Sequence, residues 1–195
     1  MVIYVIRHGE SVYNVSHKIT GWAQVPLTEK GVQQALQTRD LLTGISFTKV
    51  ISSDLLRAVQ TAQNALPGYE IQTDPRLREI GVGTLEGCNE QDYPDALRTH
   101  DLTPYGGENT AMLIDRVARF MESLQDEPED ACIAVVCHAG TVYSILCYVM
   151  QSIVPRHVSK VFNASVSAFS YLDGQWSLLK WNESGSAALP EGMAY

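Results

Sequence analysis

Val2-Ile3-Tyr4-Val5-Ile6-Arg7-His8-Gly9-Glu10 is the stretch that decides the fold. Its first five residues are β-branched or aromatic with no polar alternation, the pattern of a short strand buried on both faces of a parallel sheet. Chemistry-bearing residues begin where the apolar run stops. The pattern recurs at Cys132-Ile133-Ala134-Val135-Val136-Cys137, again followed at once by a histidine, His138. In an open α/β sheet ligands gather beyond the carboxyl ends of the strands. Neighbouring strands lie about 4.8 Å apart, so if these two are adjacent both imidazoles can face one pocket.

Outward from these two strands, elements alternate. Thr28 with Lys30-Gly31 opens a helical stretch whose apolar positions are Val32, Ala35, Leu36, Leu41 and Leu42, ending at Gly44. Lys49 to Ser52 reads as a strand, Ser53-Asp54 as helix caps, and Leu55 to Leu66 as a helix stopped by Pro67-Gly68. Glu70 to Thr73 is a weaker strand. A helix is expected from about Glu108 to Leu124 and another after the Cys132–Cys137 strand through Val149, and Asp173-Gly174 between two β-rich runs is a hairpin signal. The class expected is α/β, a three-layer α/β/α sandwich with a mostly parallel central sheet and a C-terminal hairpin. One domain is expected over residues 1–182, with an irregular cap at about 86–107 and a mobile tail at 183–195.

The 195 residues carry a formal net charge of −8, which disfavours nucleic acid or an acidic membrane as partner. A small phosphorylated metabolite is still compatible, because it feels the local field of a cleft and distant charges are screened within about 8–10 Å. The N-terminal apolar run is too short for a signal-peptide core, has no basic leader, and no stretch is long enough to span a bilayer. Cys88, Cys132, Cys137 and Cys147 show no metal-like spacing, which points to reduced, mostly buried thiols and a cytoplasmic location. A cysteine-dependent phosphatase needs arginine six positions after its cysteine; here those positions hold Pro94, His138, Tyr143 and Ile153. A homodimer is compatible with the sequence.

The chemistry centres on Arg7-His8-Gly9-Glu10. A neutral imidazole can attack phosphorus and give a hydrolysable phosphohistidine. The transferring group spreads negative charge over three oxygens, so it needs preorganised cations and donors. Arg7 is adjacent, and Arg57 in the first turn of its helix can meet phosphate oxygens. His138 is expected as a protonated donor, Gly9 as room for backbone to approach the anion, and Asn14 as an amide donor. Glu79 is the candidate acid that protonates the leaving alkoxide and then deprotonates water. A metal is disfavoured, since Arg7 and Arg57 would repel it.

With these residues in view, the chain resembles the histidine phosphatase superfamily, in the branch of cofactor-dependent phosphoglycerate mutases and small broad-specificity phosphatases. Arg7-His8-Gly9-Glu10-Ser11 with Asn14 is similar to its R-H-G-E signature and following asparagine, and Thr20-Gly21-Trp22 with Pro26-Leu27-Thr28 and Gly31 to its T-G-W and P-L-T-x-x-G stretch. Ser52-Ser53-Asp54-Leu55 with Arg57-Ala58 and Gln60-Thr61-Ala62 resembles the segment of the second phosphate arginine. Leu77-Arg78-Glu79 with Gly83, Leu85, Glu86 and Gly87 resembles the proton-donor segment, Gly106-Gly107-Glu108 the G-G-E turn, and Val136-Cys137-His138-Ala139-Gly140 the second histidine segment. Six matches in the right order are specific.

The resemblance implies His8 as nucleophile, Arg7, Arg57 and His138 as the phosphoryl clamp, Glu79 as proton donor, Asn14, Thr20 and Gly21 at the substrate, and neither metal nor other cofactor. Mutases of the family carry an arginine pair between the donor and the G-G-E turn, whereas only Arg98 lies there, and Ala139-Gly140-Thr141-Val142-Tyr143 departs from their G-N-S-L-R. A phosphatase is therefore expected ahead of a mutase, with a non-catalytic phospho-ligand binding module as the remaining alternative. Glu10 and Glu86 are weaker donors, and His17, His100 and His157 read as surface residues. Gly81-Val82-Gly83 with Gly87 has the wrong spacing for a dinucleotide fingerprint and reads as turn chemistry. Trp22, Tyr93 and Tyr105 either line the pocket or pack.

Overall fold

The computed structural model describes residues 1–154 and 160–185; the expectations for His157 and for the tail beyond residue 185 lie outside them. Among the described residues six strands form one sheet: β1 (Val2–Arg7), β2 (Lys49–Ser52), β3 (Ile71–Thr73), β4 (Cys132–Cys137), β5 (Val166–Leu172) and β6 (Gln175–Glu183), in the order β3-β2-β4-β1-β5-β6. The first four run parallel, while β5 and β6 add as an antiparallel hairpin. Asp173 and Gly174 both take positive φ at its turn, as a two-residue hairpin loop demands.

The helices are α1 (Val12–Val15), α2 (Glu29–Leu41), α3 (Leu56–Ala65), α4 (Pro94–Thr99), α5 (Thr110–Ser123) and α6 (Ala139–Met150). Because strand side chains alternate, β4 serves both faces. Ile133, Val135 and Cys137 pack with Leu113, Val117 and Phe120 of α5 and Val142 and Ile145 of α6. Ala134 and Val136 pack with Ala58 and Ala62 of α3 and with Leu42 just after α2. The result is a three-layer α/β/α sandwich, and the continuous apolar runs reflect strands covered on both sides.

Local chemistry explains most helix starts. Thr28 accepts the Gly31 N–H (3.0 Å) at the head of α2, and Asn109 accepts the Met112 N–H (3.0 Å) at the head of α5. The expected Ser53-Asp54 cap of α3 does not form. Its N-cap is Leu55, which has no side-chain bond, and Gln24 Oε1 takes the Leu56 N–H instead (2.8 Å). Ser53 continues the strand path, donating its N–H to Val136 (2.8 Å), so its hydroxyl lies at the sheet end, where it accepts the N–H of the N-cap residue Leu55 (3.3 Å) and not one from the first helical turn. Asp54 is held by Arg78, with Nε to Oδ1 at 2.7 Å.

Segment 86–107 holds α4 between two single 3₁₀ turns, Glu90–Asp92 and Thr103–Tyr105. A satellite cluster of Ile19, Val82, Leu85, Ala96 and Leu102 seats it, and Ile19 exchanges backbone bonds with Gly87 and Cys88. No helix among the described residues is long and apolar enough to cross a membrane. Cys137 and Cys147 are buried free thiols, and Cys88 and Cys132 are half-buried.

Candidate active site

Parallel pairing of β1 with β4 sets Arg7 beside Cys137, so the next residue on each strand is a histidine. The rings of His8 and His138 lie 5.1 Å apart by centroid, tilted by 57°, and both are buried. His8 Nδ1–H donates to the Gly9 carbonyl (2.6 Å), which fixes the tautomer and leaves a lone pair on Nε2. That Nε2 faces Arg57, whose Nε–H donates to it at 3.3 Å. Burial first, then the charges of Arg57 and Arg7, hold the His8 pKa well below the usual imidazole value. The imidazole is therefore neutral at physiological pH, the form that has a lone pair to donate.

Arg57 is buried to 1 % exposure and anchored on three sides: Nη1 donates to Ala23 (3.0 Å), Nη2 to Gly21 (2.9 Å) and Nε to His8, which leaves a second N–H on each Nη. Burial lowers its pKa to about 10, still charged at neutral pH. Gly21, expected at the substrate, thus holds the guanidinium by its carbonyl. Its φ is +48°, and a Cβ there would overlap Val82. Thr20 is half-buried and donates its hydroxyl to Lys18 (3.3 Å). Asn14 Oδ1 accepts from Ser11 N and Ser11 Oγ, both at 3.0 Å, so that end of the amide closes a capping box on α1.

Gly9 answers a different need from the one expected. A Cβ on Gly9 would overlap the Gly31 carbonyl, and one on Gly31 would overlap the Glu10 carbonyl. The two glycines let α2 touch the loop after β1, and Gly9 N–H goes to Thr61 Oγ1 (3.0 Å). Glu10 pairs with Lys30 (2.9 Å) and receives the Thr28 hydroxyl, so it serves this junction.

Arg7 Nη1 donates to Val161 (2.6 Å), but Arg7 Nε and His138 Nδ1 are buried with no partner among the described residues. A buried polar atom left unpaired is costly, and these two nitrogens, one on the residue next to His8 and one on the ring 5.1 Å from it, suit a ligand rich in hydrogen-bonding oxygens. Burial, then the charges of Arg57, His8, Arg7 and Arg116, hold the His138 pKa well below the imidazole range. Burial first, and then the neighbouring charges, disfavour in this arrangement the protonated form expected of His138. Its Nε2 bonds Ser53 Oγ at 2.9 Å.

Glu79 closes the group. Its Oε1 accepts the Ile80 N–H (2.9 Å) and Oε2 the Gly140 N–H (3.2 Å), and its field opposes the lowering of both Arg7 and Arg57. The segment carrying it is clamped through its carbonyls. Arg116 donates to Arg76, Arg78 and Glu79, Trp22 Nε1 to Glu79 (2.7 Å), and Thr141 to Arg78 (2.9 Å). Arg116 is bidentate on Glu108, which also receives the Gly81 N–H (2.8 Å). Glu86 accepts from Trp22 N (2.8 Å), so Trp22 tethers the site wall, with Arg78 stacked 4.9 Å above its ring. Tyr93 and Tyr105 pack edge to face on each other in segment 86–107. His17 is exposed and 3.9 Å from Glu90, and His100 is half-buried at the end of α4. Cys137, next to His138, has its thiol pushed up by burial, which suppresses the nucleophilic thiolate.

Sequence reading missed Ser53, Thr61, Arg116 and Asn163, whose amide donates to the His8 carbonyl (3.2 Å). Ser53 and Thr61 lay within the quoted Arg57 segment, but only folding shows which partner each one meets. The arrangement can hold a trioxo anion against a neutral imidazole, with a carboxylate opposite for proton transfer.

The model of the histidine phosphatase superfamily (branch 1) matches residues 3–184. Phosphoglycerate mutase-like protein 4 of Arabidopsis thaliana is 35 % identical over 196 residues, covering 93 % of this chain and 84 % of its own. Among solved structures, the mycobacterial glucosyl-3-phosphoglycerate phosphatase superposes with a TM-score of 0.81 at 28 % identity, covering 94 % of this chain and 99 % of its own. A putative alpha-ribazole-5'-P phosphatase of Escherichia coli gives 0.83 at 27 %, covering 94 % and 96 %.

Proposed function

The chain belongs to the histidine phosphatase superfamily, and we propose that within it this protein is a phosphatase that hydrolyses a small phosphomonoester through phosphohistidine on His8. The observation that carries the reading is the His8 ring itself, with Nδ1 tied to Gly9 and Nε2 facing Arg57, together with the buried Arg7 Nε and His138 Nδ1 that have no partner among the described residues. In the first step the Nε2 lone pair attacks phosphorus and the ester P–O bond breaks. Arg7, Arg57 and His138 bind the equatorial oxygens, and Glu79 gives its proton to the departing alkoxide. In the second step the Glu79 carboxylate takes a proton from water, the oxygen attacks phosphorus and the P–N bond breaks. Inorganic phosphate leaves and His8 is regenerated.

Water as acceptor is supported by the arginine inventory. Among the described residues, Arg76, Arg78, Arg98, Arg116 and Arg119 are each bonded to a carboxylate, so this region offers no uncommitted pair to grip a substrate carboxylate. The phosphatases among the superposed structures agree with this reading. The mutase is the second reading, favoured by the name of the Arabidopsis relative.

The test supplies 3-phosphoglycerate, with and without 2,3-bisphosphoglycerate, and a panel of sugar, amino-acid and nucleoside monophosphates, while free phosphate and 2-phosphoglycerate are followed. Phosphate release from at least one ester and an acid-labile phosphoenzyme, both lost in His8→Ala, are expected. Predominant 2-phosphoglycerate would overturn hydrolysis, and full activity in His8→Ala would overturn the mechanism.

A further inference from the structure

We infer that Ser53 is a positioning residue that selects the tautomer of His138, so that a neutral imidazole presents Nδ1–H to the anion in the site. The kinetic part rests on the reading of His8 as phosphoryl acceptor; the tautomer does not.

Ser53 Oγ lies 2.9 Å from His138 Nε2, and both residues are at 0 % exposure. A hydroxyl has one proton and two acceptor sites. One acceptor site takes the Leu55 N–H (3.3 Å), and the proton has His138 Nε2 within reach. With Nε2 as acceptor, the ring proton must sit on Nδ1, the atom that has no partner among the described residues. Phosphoryl oxygens only accept, so Nδ1–H is the tautomer that can bind them; the other would turn a lone pair toward an anion. The geometry is rigid because Ser53 and His138 directly follow the paired strands β2 and β4. Ser53 N–H is bonded to Val136, and the Ser52 hydroxyl to the Ser53 carbonyl (2.8 Å).

This resolves a conflict between a donor role and a lowered pKa. A charged His138 would place a cation 5.1 Å from His8 and make its Nε2 less nucleophilic. A neutral ring held in the correct tautomer donates the same hydrogen bond without that penalty. It also accounts for a serine at the foot of α3 that does not cap the helix.

Long-range ¹H–¹⁵N spectra of ring-labelled protein, assigned with His138→Gln, separate the two neutral tautomers from imidazolium. In the unaltered protein at pH 7, His138 is expected as the neutral Nδ1–H form. In Ser53→Ala that preference is lost, and kcat/KM for a phosphomonoester falls by about tenfold to a hundredfold, less than the roughly 10²–10³ for deleting a whole donor. Ser53→Thr keeps the hydroxyl and restores the tautomer and most of the rate. Imidazolium or Nε2–H in the unaltered protein, or unchanged tautomer and rate in Ser53→Ala, overturns the inference. If Ser53→Ala does not fold, the spectrum of the unaltered protein decides alone. No phosphate release from any ester would strike the proposed function and leave the tautomer result standing.

Discussion

His8 is tuned from both ends of its ring. The Gly9 carbonyl holds the proton on Nδ1, and Arg57 stands against Nε2, where protonation would set two cations 3.3 Å apart. Burial is the larger cause of the lowered pKa and Arg57 the second, so the reactive neutral form should persist below pH 6.5. Replacing Arg57 with Gln removes the second cause and leaves the first. The acid limb of phosphoenzyme formation should then move to higher pH, while the rate falls about 10²–10³-fold as one electrostatic donor is lost. Single-turnover rates from pH 4.5 to 8 measure both. An acid limb at the same pH in both proteins would mean that Arg57 does not set the state of His8.

Glycine carries the argument at the level of elements. The head of α2 meets the loop after β1 backbone to backbone, at Gly9 and Gly31, because a side chain on either would strike a carbonyl. The second wall repeats the device, since a Cβ on Gly107 would overlap the Gly81 carbonyl. Gly31→Ala is expected to cost about 1–3 kcal/mol, as overpacking of a tight junction does. At about 2–4 °C per kcal/mol for a chain of this size, melting should drop by several degrees. Activity should fall further than the unfolded fraction explains, because the displaced Glu10 carbonyl adjoins Gly9, whose own carbonyl fixes the His8 tautomer. Arg116 predicts a companion effect. Removing it strands Glu108 at 13 % side-chain exposure, so Arg116→Met should cost about 3–5 kcal/mol in denaturant midpoints. It should also slow turnover by freeing the Glu79 carbonyl. Normal melting of either variant would contradict these roles.

For the molecule as a whole, two buried neutral histidines couple stability to pH. Their folded pKa values lie below the unfolded value near 6.5, so below that pH the unfolded chain binds more protons than the folded one. Their contribution is complete above about pH 6.5 and is lost as pH falls from there toward the folded values. The loss approaches about 1.4 kcal/mol per pH unit for each histidine. Urea midpoints between pH 7.5 and 5 should show that slope, and His138→Gln should remove about half of it. An identical slope in the variant would show that the histidines are not its source. The formal charge of −8 does not prevent anion binding, because Arg7 and Arg57 converge in a buried pocket where screening by solvent is weak.

From the sequence alone, the uninterrupted apolar runs located β1 and β4, the Asp173-Gly174 turn located the hairpin, and two histidines at strand ends implied one pocket. These are local signals, because strand burial and turn geometry depend on neighbouring residues. Tertiary structure decided everything that depends on a partner far away in the chain. It drew Ser53 away from the helix it was expected to cap and put it on His138, 85 positions on. It turned Gly21 into a support for Arg57, made Gly9 a contact with α2, and buried His138 where desolvation and the neighbouring charges lower its pKa. Hydrogen-bond competition and desolvation act through space, and a residue's type and sequence neighbours do not state who will stand beside it once the chain is packed.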